Sequence, residues 1–174
     1  YIDTEKDPYS IKKGFLFAHV GWLFKKSEEI NPATVPDLVA NKALLFQHKH
    51  QMMLMIVTNL AAILGSAILF NDVFGAVLFV FLTRMFVTHH LTWFINSWAH
   101  TLGSKPYSNE HSAVNNAFLA FFTFGEGYHN YHHTFPSDYR NGVRWYQYDP
   151  TKIVIWCLAK IGIAKNLKQV ELPL

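Results

Sequence analysis

From Met52 to Phe70 the chain reads MMLMIVTNLAAILGSAILF, nineteen consecutive positions without a charged side chain. At a helical rise of ~1.5 Å per residue this run covers a hydrocarbon core of ~30 Å, whereas the buried helix of a soluble protein usually gives a shorter one. It predicts a transmembrane helix. After Asn71-Asp72 the chain turns apolar again from Val73 to Ile95, VFGAVLFVFLTRMFVTHHLTWFI, which predicts a second span. Two residues allow only a tight hairpin, so the flanks 1–51 and 96–174 are expected on one side of the membrane. Of fifteen Lys and Arg, seven precede the first span, seven follow the second and only Arg84 lies between. By the positive-inside rule the flanks are cytoplasmic. Arg84, His89 and His90 are costly at membrane depth and point to an inward-facing, functional side of the second helix.

The remaining composition fits one membrane-bound domain over residues 1–174. An apolar share of 51% with 16% aromatic excludes disorder. The formal charge of +3 suits a basic rim at a lipid surface, and no nucleic-acid partner is expected. Cys157 is alone, so no disulfide can form within the chain. The absence of an initiator Met and the opening YIDTEKDPYS predict a piece of a longer protein.

Residues 1–13 read as surface loop. GFLFAHVGWLF, residues 14–24, is apolar but short, suiting a segment along the interface with Trp22 at headgroup level and Lys25 and Lys26 reaching phosphates. NPATVP breaks the chain before a helix expected over 37–50. The second span's helix is expected to run through NSWAH and stop near Gly103 and Pro106, with a further helix over 109–124. Asp149-Pro150-Thr151 marks a helix start, and IVIWCLAKIGIA reads as an in-plane amphipathic helix. The expected fold is all-α, a membrane helical hairpin with a cytoplasmic helical cap carrying a histidine-rich metal site.

Residues 125–140, GEGYHNYHHTFPSDYR, carry that site. His129, His132 and His133 stand at helical spacings, so their imidazoles project from neighbouring positions. That spacing alone is compatible with metal ligation and with a solvated His-rich turn. Trp93, Asn96 and His100 recur three and four apart at the cytoplasmic end of the second span, which allows four histidines from two segments to converge. A structural zinc site favours cysteines or a compact finger spacing, and the chain has neither. A pair of redox irons needs more than four ligands, which a missing N-terminal part is expected to bring.

GEGYHNYHH with FPSDYR behind it, together with DTEKDPY, GFLFAHVGW, FQHKHQ, TWFINSWAH and RNGVRWYQYDPTK in the same order, resembles the integral-membrane fatty-acyl desaturases of the stearoyl-CoA (delta-9) type. In that family two earlier clusters, H-x-x-x-x-H and H-x-x-H-H, precede the DTEKDPY-like segment, so the resemblance is to the C-terminal half. It implies two non-haem irons, with His100, His129, His132 and His133 as ligands, Asn96 reaching an iron through water, and Glu126 hydrogen-bonding an imidazole. It further implies that Trp22, Thr92 and Trp93 line an acyl tunnel. Lys25 and Lys26 suit either an acyl-CoA phosphate or phospholipid.

The activity so implied is oxygen-dependent insertion of a cis double bond into a fatty-acyl-CoA or acyl-lipid. Electrons would come from a small cytochrome b-type or ferredoxin-like donor, in the endoplasmic reticulum or a bacterial inner membrane, and the chain alone would be inactive. Two other readings remain open. One is a related histidine-box hydroxylase. The other is an electron carrier whose haem is ligated by His89 and His100. His19, His48, His50, His89, His90 and His111 are assigned to packing or interfacial hydrogen bonds.

Overall fold

The computed structural model describes residues 2–25 and 31–171. Among them the regular structure is helical, as expected, with two isolated bridges, Ser104–Asn115 and Asn115–Tyr128. The chain divides into two compact units, Lys26–His89 and Tyr1–Lys25 with His90–Leu174.

The first of these units holds α2 (Pro36–Ala40), α3 (Lys42–Lys49), α4 (Gln51–Phe70), α5 (Val73–Gly75), a π-helical stretch Ala76–Thr83 and the start of α6 (Arg84–Ser97). The single helix expected over 37–50 is broken at Asn41. Its Oδ1 accepts from Ala43 N at 3.0 Å and Leu44 N at 3.4 Å, and so caps α3 instead of continuing α2. The hairpin turn works as the sequence predicts. Asn71 takes a left-handed conformation (φ 50°), and Asp72 Oδ1 accepts from Gly75 N at 2.8 Å to start the return helix.

Gln51–Phe70 and Val73–His100 are each long and apolar enough to cross a membrane. Their large side chains, among them Met52, Leu60, Leu64, Ile68 and Phe79, stand exposed. Arg84 is not left bare on this surface: Nε donates to Val80 O at 2.7 Å and the guanidinium reaches Asn59 Oδ1 on α4. Each turn of the π stretch gains a residue, and Thr83 Oγ1 accordingly donates to Leu78 O, five residues back, at 2.8 Å.

The other unit comprises α1 (Phe15–His19), a 3-10 turn Gly21–Phe24, the end of α6 with a 3-10 turn Trp98–His100, α7 (Ala117–Phe122), α8 (His129–Thr134) and α9 (Pro150–Lys160). Its core is built from small residues, Ala18, Ala99, Ala113 and Ala120, around Leu119 and Tyr131. The N-terminal segment is not simply surface loop. Asp7 and Ser10 are buried, because the Asp7 carboxylate turns back to accept from Asp3 N and Tyr9 N, both at 3.1 Å.

The helix expected over 109–124 is confined to α7. Asn115 pairs with both Ser104 and Tyr128, which holds the preceding chain extended. Asn116 Oδ1 then caps α7 by accepting from Leu119 N at 2.9 Å. At α9 the start signal holds: Asp149 Oδ1 accepts from Lys152 N at 3.0 Å. Asp149 Oδ2 also accepts from Asn141 N and Gly142 N, at 2.9 and 2.8 Å.

Candidate metal centre

The histidines of α8 are delivered by the two glycines before them. Gly125 has φ +108°, and a Cβ there would stand 2.6 Å from Asp149 Oδ1. A Cβ on Gly127 would meet Asn116 O at 2.6 Å and Ala120 Cα at 2.7 Å. Only glycine lets the backbone lie against α7 and against the buried Asp149 at once.

Two buried side chains then fix α8. Asn130, fully buried, accepts from Tyr107 N (3.0 Å) and Ser108 N (3.3 Å) and donates to Ser108 O (2.8 Å) and Ala113 O (2.9 Å), using both halves of its amide. Tyr131 donates its hydroxyl to Asp138 Oδ2 at 2.7 Å. Asp138 is forked by Arg140, at 3.0 Å from Nε and 2.7 Å from Nη2, and accepts from Val170 N at 2.8 Å. Burial raises the Asp138 carboxyl, but Arg140, the Val170 and Arg140 amides and the Tyr131 hydroxyl outweigh it and hold the group well below the usual carboxylate range.

The opposite face of α8 meets the end of the preceding long helix. One ring nitrogen each from His100, His129 and His133 lies within 4.8 Å of the others. His129 Nε2 and His133 Nε2 are 2.9 Å apart, and the His100 ring centroid is 5.0 Å from that of His129 and 5.6 Å from that of His133. Two nitrogens bound at right angles to one ion by bonds of ~2.1 Å would themselves stand about 3 Å apart, so the His129–His133 pair has the spacing of two ligands to one transition-metal ion, and His100 stands beside it. Nδ1 of the buried His129 has no hydrogen-bond partner of good geometry.

Ligation requires neutral imidazole, and the site enforces it. Burial, then the neighbouring His133, His100 and His132, push His129 well below the ordinary histidine value. Burial with His100, His132 and His111 brings His133 down to about 4. His100 Nδ1 meets Ser112 Oγ at 2.7 Å. A cleft lined by Ile2, Asp7, Pro8, Tyr9, His100 and His133 gives access to two of the three imidazoles.

The structure brings together three of the four predicted ligands. His132 stacks on His129, with centroids 5.6 Å apart and planes at 24°, but is not one of the converging trio. Positions 129 and 133 lie one above the other on α8, whereas 132 is offset to the side. Asn96 is half-buried in the last turn of α6, and the 3-10 turn from Trp98 winds His100 away from the alignment a regular α-helix would give. The Glu126 carboxylate accepts from Asn141 Nδ2 at 2.9 Å, an amide where an imidazole was expected. Trp93 stands edge-on to His19 and His90, with centroids at 5.7 and 5.0 Å, and Thr92 is exposed. Trp22 packs edge-on against Tyr9 at 5.7 Å, and the ammonium of Lys25 lies 5.1 Å from the Phe17 ring centre. Lys26 lies outside the described residues.

Three contributors were not expected from sequence: Asn130, Ser112 and Asp3. His111, assigned to packing, has its ring centre 5.7 Å from that of His133. The place of Asn130 between His129 and His132 in HNYHH is the local signal that the sequence carries. The Asp3–Ser112 contact spans 109 positions and leaves no trace in spacing.

The fatty acid desaturase family model matches residues 1–163, and the chain belongs to that family. It is 44% identical over 172 residues to the probable acyl-CoA desaturase of Schizosaccharomyces pombe, covering 96% of this chain and 36% of that protein. It is 35% identical to the delta(9)-fatty-acid desaturase fat-6 of Caenorhabditis elegans, over 97% of this chain and 52% of that protein. With stearoyl-CoA desaturase 5 of Homo sapiens it shares 32% identity over 100% of this chain and 55% of that protein. The chain thus spans between about a third and just over half of these relatives' lengths.

Proposed function

We propose that this chain is part of an integral-membrane fatty-acyl desaturase that inserts a cis double bond, at the delta-9 position, into a saturated acyl chain. The observation that carries this reading is the convergence of His100 with His129 and His133 in a chain of the desaturase family. Its relatives are acyl-CoA, delta(9)-fatty-acid and stearoyl-CoA desaturases by name, which supports an acyl-CoA substrate.

In the overall reaction two C–H bonds of adjacent methylenes break and a carbon–carbon π bond forms. Substrate and donor each give two electrons, and dioxygen takes up these four with four protons to leave two waters. Side-chain acids and bases cannot oxidise an unactivated methylene. Two non-haem irons, when bound, would supply that oxidising power. The ligands from this chain would be His100, His129, His132 and His133, with Asn96 acting through water.

Burial and mutual repulsion favour the neutral form of His129 and His133, and Asn130 and Tyr131 hold α8 in place. Trp22, Thr92 and Trp93 are proposed to line the acyl tunnel, and Lys25 and Lys26 to receive the polar end of the substrate. Glu126 supports the site by tying the turn before α8 to Asn141. The spans 52–70 and 73–95 would cross the bilayer, and the Lys/Arg distribution supports cytoplasmic flanks over 1–51 and 96–174. A small cytochrome b-type or ferredoxin-like protein would donate electrons from that side, in the endoplasmic reticulum or a bacterial inner membrane.

The test is expression of the full-length gene in a desaturase-deficient host, with fatty-acid profiles of wild type beside His132→Ala and His133→Ala. Wild type should restore cis-monounsaturated acids and both variants should not. Hydroxy acids in their place would identify the related hydroxylase, and unsaturation that survives both substitutions would refute the site.

A further inference from the structure

Ser112 is bound to Asp3 twice. Its backbone N–H donates to Asp3 Oδ2 and its hydroxyl to Asp3 Oδ1, both at 2.6 Å. Asp3 is itself held in an uncommon left-handed conformation, φ 57°. Its N–H donates to Asp7 Oδ2 at 3.1 Å and its carbonyl accepts from Lys12 Nζ at 2.6 Å. This is a built position for a carboxylate, and the hydroxyl pinned to it is the one that meets His100 Nδ1 at 2.7 Å.

The direction of each bond follows from counting protons. An ionised carboxylate only accepts, so the single hydroxyl proton of Ser112 is spent on Asp3. The oxygen is then left with lone pairs alone toward His100. A 2.7 Å contact there requires the proton to sit on Nδ1 of the imidazole. A neutral imidazole protonated at Nδ1 carries its free lone pair on Nε2. We propose that Asp3 and Ser112 form a relay that fixes the tautomer and ring orientation of His100, presenting Nε2 as the ligand atom to the cluster with His129 and His133. Asp3 and Ser112 are positioning residues, and the proposal rests on the metal-centre reading above.

The geometry separates the relay from mere stapling of the N-terminal segment. The staple survives without the hydroxyl, because the Ser112 N–H still holds Asp3. Ser112→Ala therefore removes the relay and leaves the staple, while Ser112→Thr keeps the hydroxyl.

The experiment measures, on the intact full-length protein in detergent, iron bound per chain and the rate of iron loss to a chelator, with thermal unfolding as a fold control. Ser112→Ala should weaken iron binding about 10–100-fold, the usual effect on affinity of removing a partner that orients a ligand, read as faster loss to the chelator, and Ser112→Thr should restore retention to within about threefold of wild type. Asp3→Asn, which keeps shape but not charge, should fall between them, and it decides the matter should Ser112→Ala fail to fold. His100→Ala is the control for the parent reading. Wild-type retention in Ser112→Ala or, in its place, Asp3→Asn, beside rapid loss in His100→Ala, overturns the relay and leaves the metal centre standing. Loss in Ser112→Thr equal to that in Ser112→Ala overturns it as well. Wild-type retention in His100→Ala overturns the metal centre and the relay together.

Discussion

Asn130 and Asp138 fix α8, and with it the imidazoles of His129 and His133, from positions that the spacing of histidines does not point to. Asn130 satisfies two backbone donors and two backbone acceptors from a fully buried position. An orphaned buried polar group costs ~1–3 kcal/mol, so Asn130→Leu should destabilise the protein by at least ~3 kcal/mol, read as a lowered unfolding midpoint. Asp138 makes a pH-dependent contribution whose sign is fixed. Its carboxyl is depressed in the fold, so its stabilisation is complete above the unfolded value of ~3.9 and is lost as pH falls through that value toward the folded one. Asp138→Asn should lower stability at pH 7 by ~1.5–3 kcal/mol, with the deficit vanishing in unfolding curves taken at increasingly acid pH.

Elements carry the next layer of control. The GEG turn and α7 are in backbone contact, so a side chain at Gly127 has nowhere to go but into Asn116 O and the Ala120 backbone. Gly127→Ala should cost ~1–3 kcal/mol as an overpacked site and, by displacing α8, lower the iron content of the intact protein. A variant that keeps its full iron complement would show that α8 tolerates the shift. Part of this element is legible in the sequence: HNYHH behind two glycines, read with NSWAH, allows four histidines to converge, and the structure gathers three of them, His100, His129 and His133. Over 109–124 the helix is shorter than periodic Ala, Leu and Phe predict, because they say nothing of Asn115, which pairs with Ser104 and Tyr128. Likewise, the 37–50 helix broke at Asn41 because a capping amide overrides the propensity of its neighbours. The Asp3–Ser112–His100 contacts depend on tertiary closure, which no local pattern encodes.

For the molecule as a whole, the charge-free run was the most informative signal, because length and apolarity are read directly from consecutive residues. The resulting α4 surface is exposed along its whole length. Leu64→Arg on that surface should reduce membrane insertion by ~2.5–3.5 kcal/mol, measured with glycosylation reporters on either side of the hairpin. Unchanged insertion would argue against Gln51–Phe70 as a span.

The pairing of Asp3 with Ser112 also bears on biogenesis. It closes a ring of chain that contains the whole apolar hairpin, with the ligand-bearing α8 made later still. A ribosome must therefore release both greasy segments before the acid end and the imidazole end can find each other. The closure entropy of so long a ring grows only slowly with its length. Assembly of the pocket is thus a late event, since Asp3, made first, must wait for a hundred intervening residues and for α8 before its partners exist.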